Sequence, residues 1–299
     1  MERRTTSCLD RTPVSSGGFT IVLTSILLSA LFAGLVATGV TVAIEKWGGL
    51  IGGLLGTVPS TIVPAGIGLY LAGGEDALML SMAVVPLGML LNTLFLGAWL
   101  VLPRWLSNTA HPLFLTSTGA LALWGVLGAT VWLLMNNTVA GTRLTEQELA
   151  AAGLVVLILI AVAFNWRPQP TPKGSKSVSK TVLVSRGTMA ALAIGIAVWL
   201  SGLGFPLLAG LASVFPAIFL TSMVALWLAQ GPTVPQGAAG PMMLGGVSVA
   251  VYANIAMWSL PAYGMVIGSM VAWFASVLGW SLPAFVVLKR VHARVELTG

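Results

Sequence analysis

Between Arg186 and Lys289 the chain contains no Asp, Glu, Lys or Arg. A stretch that long and that free of charge cannot be an ordinary water-facing surface, and it has room for at least three membrane crossings at roughly 20 residues each. Similar charge-free gaps run from Pro13 to Ile44, Trp47 to Gly74, Ala77 to Pro103 and Leu149 to Trp166. Only 7% of residues are charged, against roughly 25% in soluble domains. Inside hydrocarbon an unpaired backbone N–H or C=O costs several kcal/mol, so each gap must be a helix or part of a closed barrel. The runs are continuously apolar rather than alternating, which excludes the barrel. The expectation is an all-α, polytopic integral membrane protein.

The apolar runs place about nine transmembrane helices, at 19–44, 48–72, 77–102, 113–135, 149–165, 184–203, 206–229, 240–259 and 262–288. The polar tail 1–18 holds Cys8, which has no second cysteine to pair with. The segment 19–135 forms a first four-helix unit and 149–165 a connecting helix. Residues 166–183 form a flexible linker rich in Lys, Ser and Pro, 184–288 a second four-helix unit and 289–299 a C-terminal tail. Loop 136–148 ends on Glu146 and Glu148, and loop 230–240 reads as turns. The net charge of +6 sits in loops and tails. It therefore reads as orientation bias, not as a nucleic-acid surface.

An internal repeat organises the whole. Residues 53–74 align without a gap on residues 210–231, at an offset of 157. The alignment pairs Gly53 with Gly210, Pro59 with Pro216 and Gly74 with Gly231. Leu, Ala and Gly recur by chance in membrane segments, so the matched proline and the boundary glycines carry most of the signal. Four helices return the chain to its starting side and a fifth carries it across. Two inverted four-helix repeats joined by a central fifth helix follow from that count. The layout resembles inverted-repeat transporters, the drug/metabolite carriers among them.

The chemistry-bearing positions are few. Proline removes a backbone donor and breaks a helix, which exposes carbonyls and a half-helix N-terminus inside the membrane. The stretch Gly56-Thr57-Val58-Pro59-Ser60-Thr61 is one such break, and Ser213 to Pro216, followed by Thr221 and Ser222, is its counterpart. Asn92 and Asn254 are lone amides in apolar runs, suited to bonding between helices or to binding solute. The expected substrate-binding set is Pro59, Ser60, Thr61, Asn92, Pro216, Thr221, Ser222 and Asn254. The competing reading of each break is a kink packed by small residues. Glu45-Lys46 and Glu75-Asp76 read as interfacial and helix-end charges. Trp47, Trp105, Trp166 and Trp280 read as an interfacial belt.

His111 and His292 have no carboxylate or cysteine at metal-ligand spacing, and no nucleophile motif occurs. No cofactor, no metal site and no enzymatic activity are expected. The leading expectation is a transporter or exporter of a small neutral or anionic metabolite. A non-catalytic membrane scaffold is the alternative, and a membrane-embedded enzyme comes third. The expected partners are the lipid bilayer and a solute, with no nucleic acid, and a homo-oligomer is compatible with this reading. Of the 14 Lys and Arg residues, only Arg3, Arg4, Arg11 and Arg143 fall on the N-terminal side of a nine-helix chain. The positive-inside bias then puts the C-terminus and the 165–186 linker in the cytoplasm and the N-terminus outside. The Asn136-Asn137-Thr138 sequon is on the expected outer side.

Overall fold

The computed structural model describes residues 16–47, 58–138, 145–166 and 179–298. Cys8, Gly53, Gly56, Thr57 and most of the 166–183 linker, all singled out above, lie outside the described residues. The described residues are helical, with no strand among them. In chain order the helices are α1 (Ser16–Trp47), α2 (Ile62–Leu106), α3 (Pro112–Thr138), α4 (Glu146–Asn165) and α5 (Lys180–Gly202). Then come α6 (Pro206–Ser213), α7 (Ala217–Gln230) and α8 (Thr233–Ser276). A π-helical turn (Val277–Ser281) leads into α9 (Leu282–Thr298). Among the described residues, seven stretches are long and apolar enough to cross a membrane, and the chain is an integral membrane protein.

Two of these helices fold back on themselves. A straight helix of 45 residues would be about 68 Å long, more than twice a hydrocarbon core of about 30 Å. Within α2, however, Gly74 takes φ 77° and ψ −168°, a region open essentially to glycine alone. The chain reverses there. A Cβ on Gly66 would lie 3.5 Å from Met82 Cε, although 16 positions along a straight helix span about 24 Å. Gly264 does the same in α8, at φ 77° and ψ 172°, and Ser259 Oγ then donates to the Gly268 carbonyl at 2.8 Å.

The limbs around each reversal pack closely because small residues face each other. A Cβ on Gly268 would overlap the Ser259 carbonyl and come within 2.7 Å of Leu260 Cα, whereas one on Gly279 would meet nothing within 4 Å. Backbone cannot step aside as a side chain can. Gly268→Ala is therefore expected to destabilise the protein by about 1–3 kcal/mol. Thermal unfolding in detergent should show the loss, with Gly279→Ala unchanged.

Burial sorts the helices into centre and rim. In its most apolar window α2 is 72% buried, while α3 is only 11% buried. Leu27, Phe32 and Leu35 on α1, and Phe114 and Val126 on α3, turn outward, as lipid-facing positions should. Inside, α2 packs on α8 and α1 packs on α5. The contacts run through Ala, Gly and Ser, which let helix backbones approach where no hydrophobic drive separates protein from lipid.

The α1–α5 pair is antiparallel: Val22 meets Gly202, Ala30 meets Gly195 and Thr38 meets Gly187. Positions related by the offset of 157 meet reciprocally. Ala30 touches the equivalent of Thr38, and Thr38 touches the equivalent of Ala30. Midway, a Cβ on Gly34 would sit 3.2 Å from that of its own equivalent, Ala191. The α2–α8 pair repeats the pattern, with Met89 Cε 2.8 Å from where a Cβ on its equivalent Gly246 would be.

Several expectations need correction. Glu146 and Glu148 are not loop: Thr145 caps α4, its hydroxyl accepting from Glu148 N while Glu148 accepts from Thr145 N at 2.8 Å. This reciprocal box starts the helix early. Ser179 caps α5 through Val182 N, so Lys180 to Leu183 are helix rather than linker. The 230–240 loop is helical from Thr233, because Pro232 and Pro235 fall where missing N–H groups cost nothing. The 289–299 tail is helical as far as Thr298. The sequon lies on the last turn of α3, not in a loop. Trp280 is not a belt residue, since its indole donates to the Leu244 carbonyl at 2.8 Å, whereas Trp105 and Trp166 are largely exposed.

Candidate functional site

Each proline break has the same local geometry. At the first, Ser60 N donates to the Val58 carbonyl at 2.9 Å across Pro59. At the second, Ala217 N donates to the Phe215 carbonyl at 2.7 Å across Pro216. These are three-residue turns of the γ type, and every atom in one has its counterpart 157 residues along in the other. The segment after each break ends alike too: Gly74 closes the first limb of α2, and Gly231, at φ 87° and ψ 176°, closes α7.

The two breaks line one cavity of about 170 Å³. Val58 to Ile62 form one wall and Ser213 to Phe215 the opposite one, with Ile218 and Phe219 beyond. Met89 and Asn92 of α2 and Gly246, Ser248 and Val249 of α8 complete it. Five of these are matched pairs at the offset of 157: Val58 with Phe215, Thr61 with Ile218, Ile62 with Phe219, Met89 with Gly246 and Asn92 with Val249. The cavity therefore sits where segments related by the offset of 157 meet.

Asn92 shows how the breaks are held open. It is 2% exposed. Its Nδ2 donates to the Val214 carbonyl at 2.8 Å, a group left outside α6 by the second break. Its Oδ1 is buried and has no hydrogen-bond partner among the described residues. A buried, unmet acceptor in a cavity wall costs free energy in the protein alone, and a ligand or water that donates to it recovers that cost.

The cavity also holds a cation that the sequence did not single out. Arg186, on the second turn of α5, is the one charged side chain in the cavity wall among the described residues. Its guanidinium donates to Ser222 Oγ at 2.7 Å, and Ser222 Oγ donates to the Ile218 carbonyl at 2.6 Å. Ser222 thus aims the guanidinium and is not itself in the wall. Arg186 lies near the start of a helix apolar enough to cross a membrane, where a charged side chain is costly and is a candidate for contact with a solute. Arg186 reads as a linker cation in the sequence because it follows a basic stretch. The signal that could have found it is the Ser179 cap, which puts Arg186 on the face of a helix.

The other expected site residues divide. Pro59, Ser60 and Thr61 line the cavity with Asn92, and Pro216 sits buried between two wall residues. Thr221 and Asn254 are not brought there. Thr221 Oγ1 donates to Ala217 and Ile218 carbonyls of its own helix. Asn254 Nδ2 donates to Ala250 at 2.9 Å and to Ala150 of α4 at 3.4 Å. With Asn165, which donates to the Gly240 carbonyl at 3.0 Å, it ties α4 to α8. These two amides hold helices together.

Two apolar grooves flank the cavity. One, of about 680 Å³, runs between α1, the first limb of α2 and the final limb of α8, past Phe32, Ile67 and Met270. The other, of about 480 Å³, runs between α3, α5 and α6, past Trp124, Leu192 and Leu208. Ser60 borders both the cavity and the larger groove, while Phe215 borders both the cavity and the smaller one.

No protein family, no curated protein and no solved structure matches this chain.

Proposed function

We propose that the protein is an alternating-access transporter of an anionic solute, with its site at the paired proline breaks. The observation that carries this reading is the position of the cavity. It lies at the contact between elements related by the offset of 157, is walled by the turn before α2 and by the turn between α6 and α7, and contains a guanidinium and an unmet amide oxygen. Secondary transporters place their sites in this way, at midplane and at a repeat interface. A scaffold has no use for a cation in a polar hollow between broken helices.

Inversion of the repeats is part of the proposal. Reciprocal contacts between a position and its partner's equivalent are the mark of a two-fold relation. When the related helices, α1 and α5, run antiparallel across a bilayer, that axis lies in the membrane plane. Counting the limbs on either side of Gly74 and Gly264 as separate crossings gives about nine, the odd number that inversion needs. The loop charges then put the C-terminus in the cytoplasm and the N-terminus outside. Moving Arg186 from the loops to the cavity lowers the cytoplasmic count without reversing the bias.

Alternating access makes the cavity wall reachable from both faces in turn. On a Cys8→Ser background, Ser248→Cys and Thr61→Cys should react with small water-soluble thiol reagents applied to either side of sealed vesicles. Thr116→Cys, buried on α3 away from the cavity, should stay inert. Cavity cysteines that are inert from both faces, or open to one face only, would favour the scaffold.

A further inference from the structure

We infer that the ligand is an amphiphile, an anionic head group carrying a long apolar tail, which reaches the site sideways from the bilayer. This rests on the transport reading above and goes further by naming the substrate class and its route.

Size is the first reason. The cavity's 170 Å³ would hold on the order of five waters at about 30 Å³ each. Sites for whole small molecules usually occupy roughly 300–1,000 Å³. A phosphate head, with five heavy atoms, would take up most of that space beside Arg186, and a longer ligand has to extend out of the cavity. Cavity and larger groove together fall within the usual range.

Continuity is the second. Any apolar groove on a membrane protein faces lipid, so the groove alone would mean little. This one adjoins, at the proline break, the cavity that holds Arg186. Ser60 stands in both walls, so the groove and the cavity adjoin at a small side chain. Where the smaller groove adjoins the cavity, the shared residue is the bulky Phe215, stacked edge-on against Trp124 with ring centroids 5.3 Å apart. The tail route is therefore the larger groove, between α1, the first limb of α2 and the final limb of α8.

Chemistry is the third. Arg presents a planar fork suited to phosphate and carboxylate. The Asn92 Oδ1 acceptor adds a place for a donor on the head, such as a hydroxyl or a protonated phosphate oxygen. The groove offers a tail little but Leu, Ile, Val, Met and aromatic surface, with a few serines.

The test uses the full chain in sealed vesicles with three probes. Acyl-fluorescent phosphatidic acid supplies an anionic head with a tail, acyl-fluorescent phosphatidylcholine a zwitterionic head with a tail, and radiolabelled glycerol phosphate an anionic head without one. Dithionite quenching reads the movement of the lipids between leaflets. The expected result is that phosphatidic acid moves in proportion to protein, phosphatidylcholine does not, and glycerol phosphate is not taken up. Ile67→Trp, which fills the groove, should slow phosphatidic acid by about tenfold while Ser248→Cys in the same chain still reacts from both faces. Four outcomes overturn the inference. If glycerol phosphate moves and phosphatidic acid does not, the tail is wrong and transport stands. Equal movement of both lipids shows that the anionic head is wrong. If no probe moves but the cavity cysteine alternates between faces, the amphiphile fails and the transport reading survives. If no probe moves and the cysteine is inert, both fail.

Discussion

Replacing Arg186 by Gln is expected to erase the charge preference of the cavity. Consider Ser248→Cys reacting with an anionic and a cationic methanethiosulfonate of similar size. A unit charge about 8 Å from a guanidinium, at an effective dielectric near 40, gains or loses about 1 kcal/mol. The two reagents differ by twice that, which makes the anionic one faster by a factor of about 30. Arg186→Gln should bring the ratio close to one. Arg186→Lys should keep most of it, because the charge stays although the fork is lost. Taking a ratio removes a confounding effect. Arg186 also favours the thiolate of the introduced cysteine, but that accelerates both reagents alike. A ratio near one in the unsubstituted chain would remove the basis for an anionic solute.

The reach of the sequence can be seen residue by residue. Pro59 and Pro216 were legible because the proline and the flanking glycines repeat at one offset, and their local turns share one hydrogen-bond pattern. Asn92 was legible as a lone amide, though not which of its two roles applied. The first is seen in its bond to the Val214 carbonyl, and its place in the cavity wall leaves it available for the second. Thr221 and Ser222 are neighbours and were indistinguishable in sequence. On a helix, adjacent residues point about 100° apart, and only Ser222 meets Arg186. Arg186 itself was hidden by its neighbours, since loop cations and a functional cation look the same until the helix start is fixed. The 230–240 stretch was misread because its glycines and prolines signal turns in water. In a bundle they fit a helix that needs close neighbours, as Gly240 does against Asn165.

Gly74→Ala and Gly231→Ala are expected to destabilise the protein separately and by similar amounts. Both glycines take positive φ with ψ near 180°, a region that an L side chain enters only at a cost of order 1–3 kcal/mol. Neither loss comes from crowding, because a Cβ on Gly74 or Gly231 would meet nothing within 4 Å. The whole effect is backbone strain, so it should be equal wherever the backbone is equal. A contact-based loss would instead differ between two sites with different surroundings. The double variant should lose about the sum of the two, as distant and independent sites do. At 2 kcal/mol each, the folded-to-unfolded ratio falls by about 30-fold per site. Midpoints of unfolding in detergent, measured for both single variants and the double, check this. One glycine tolerating alanine while the other does not would mean that the two reversals are held differently. The matched glycines at positions 74 and 231 would then lend no support to the proposed repeat.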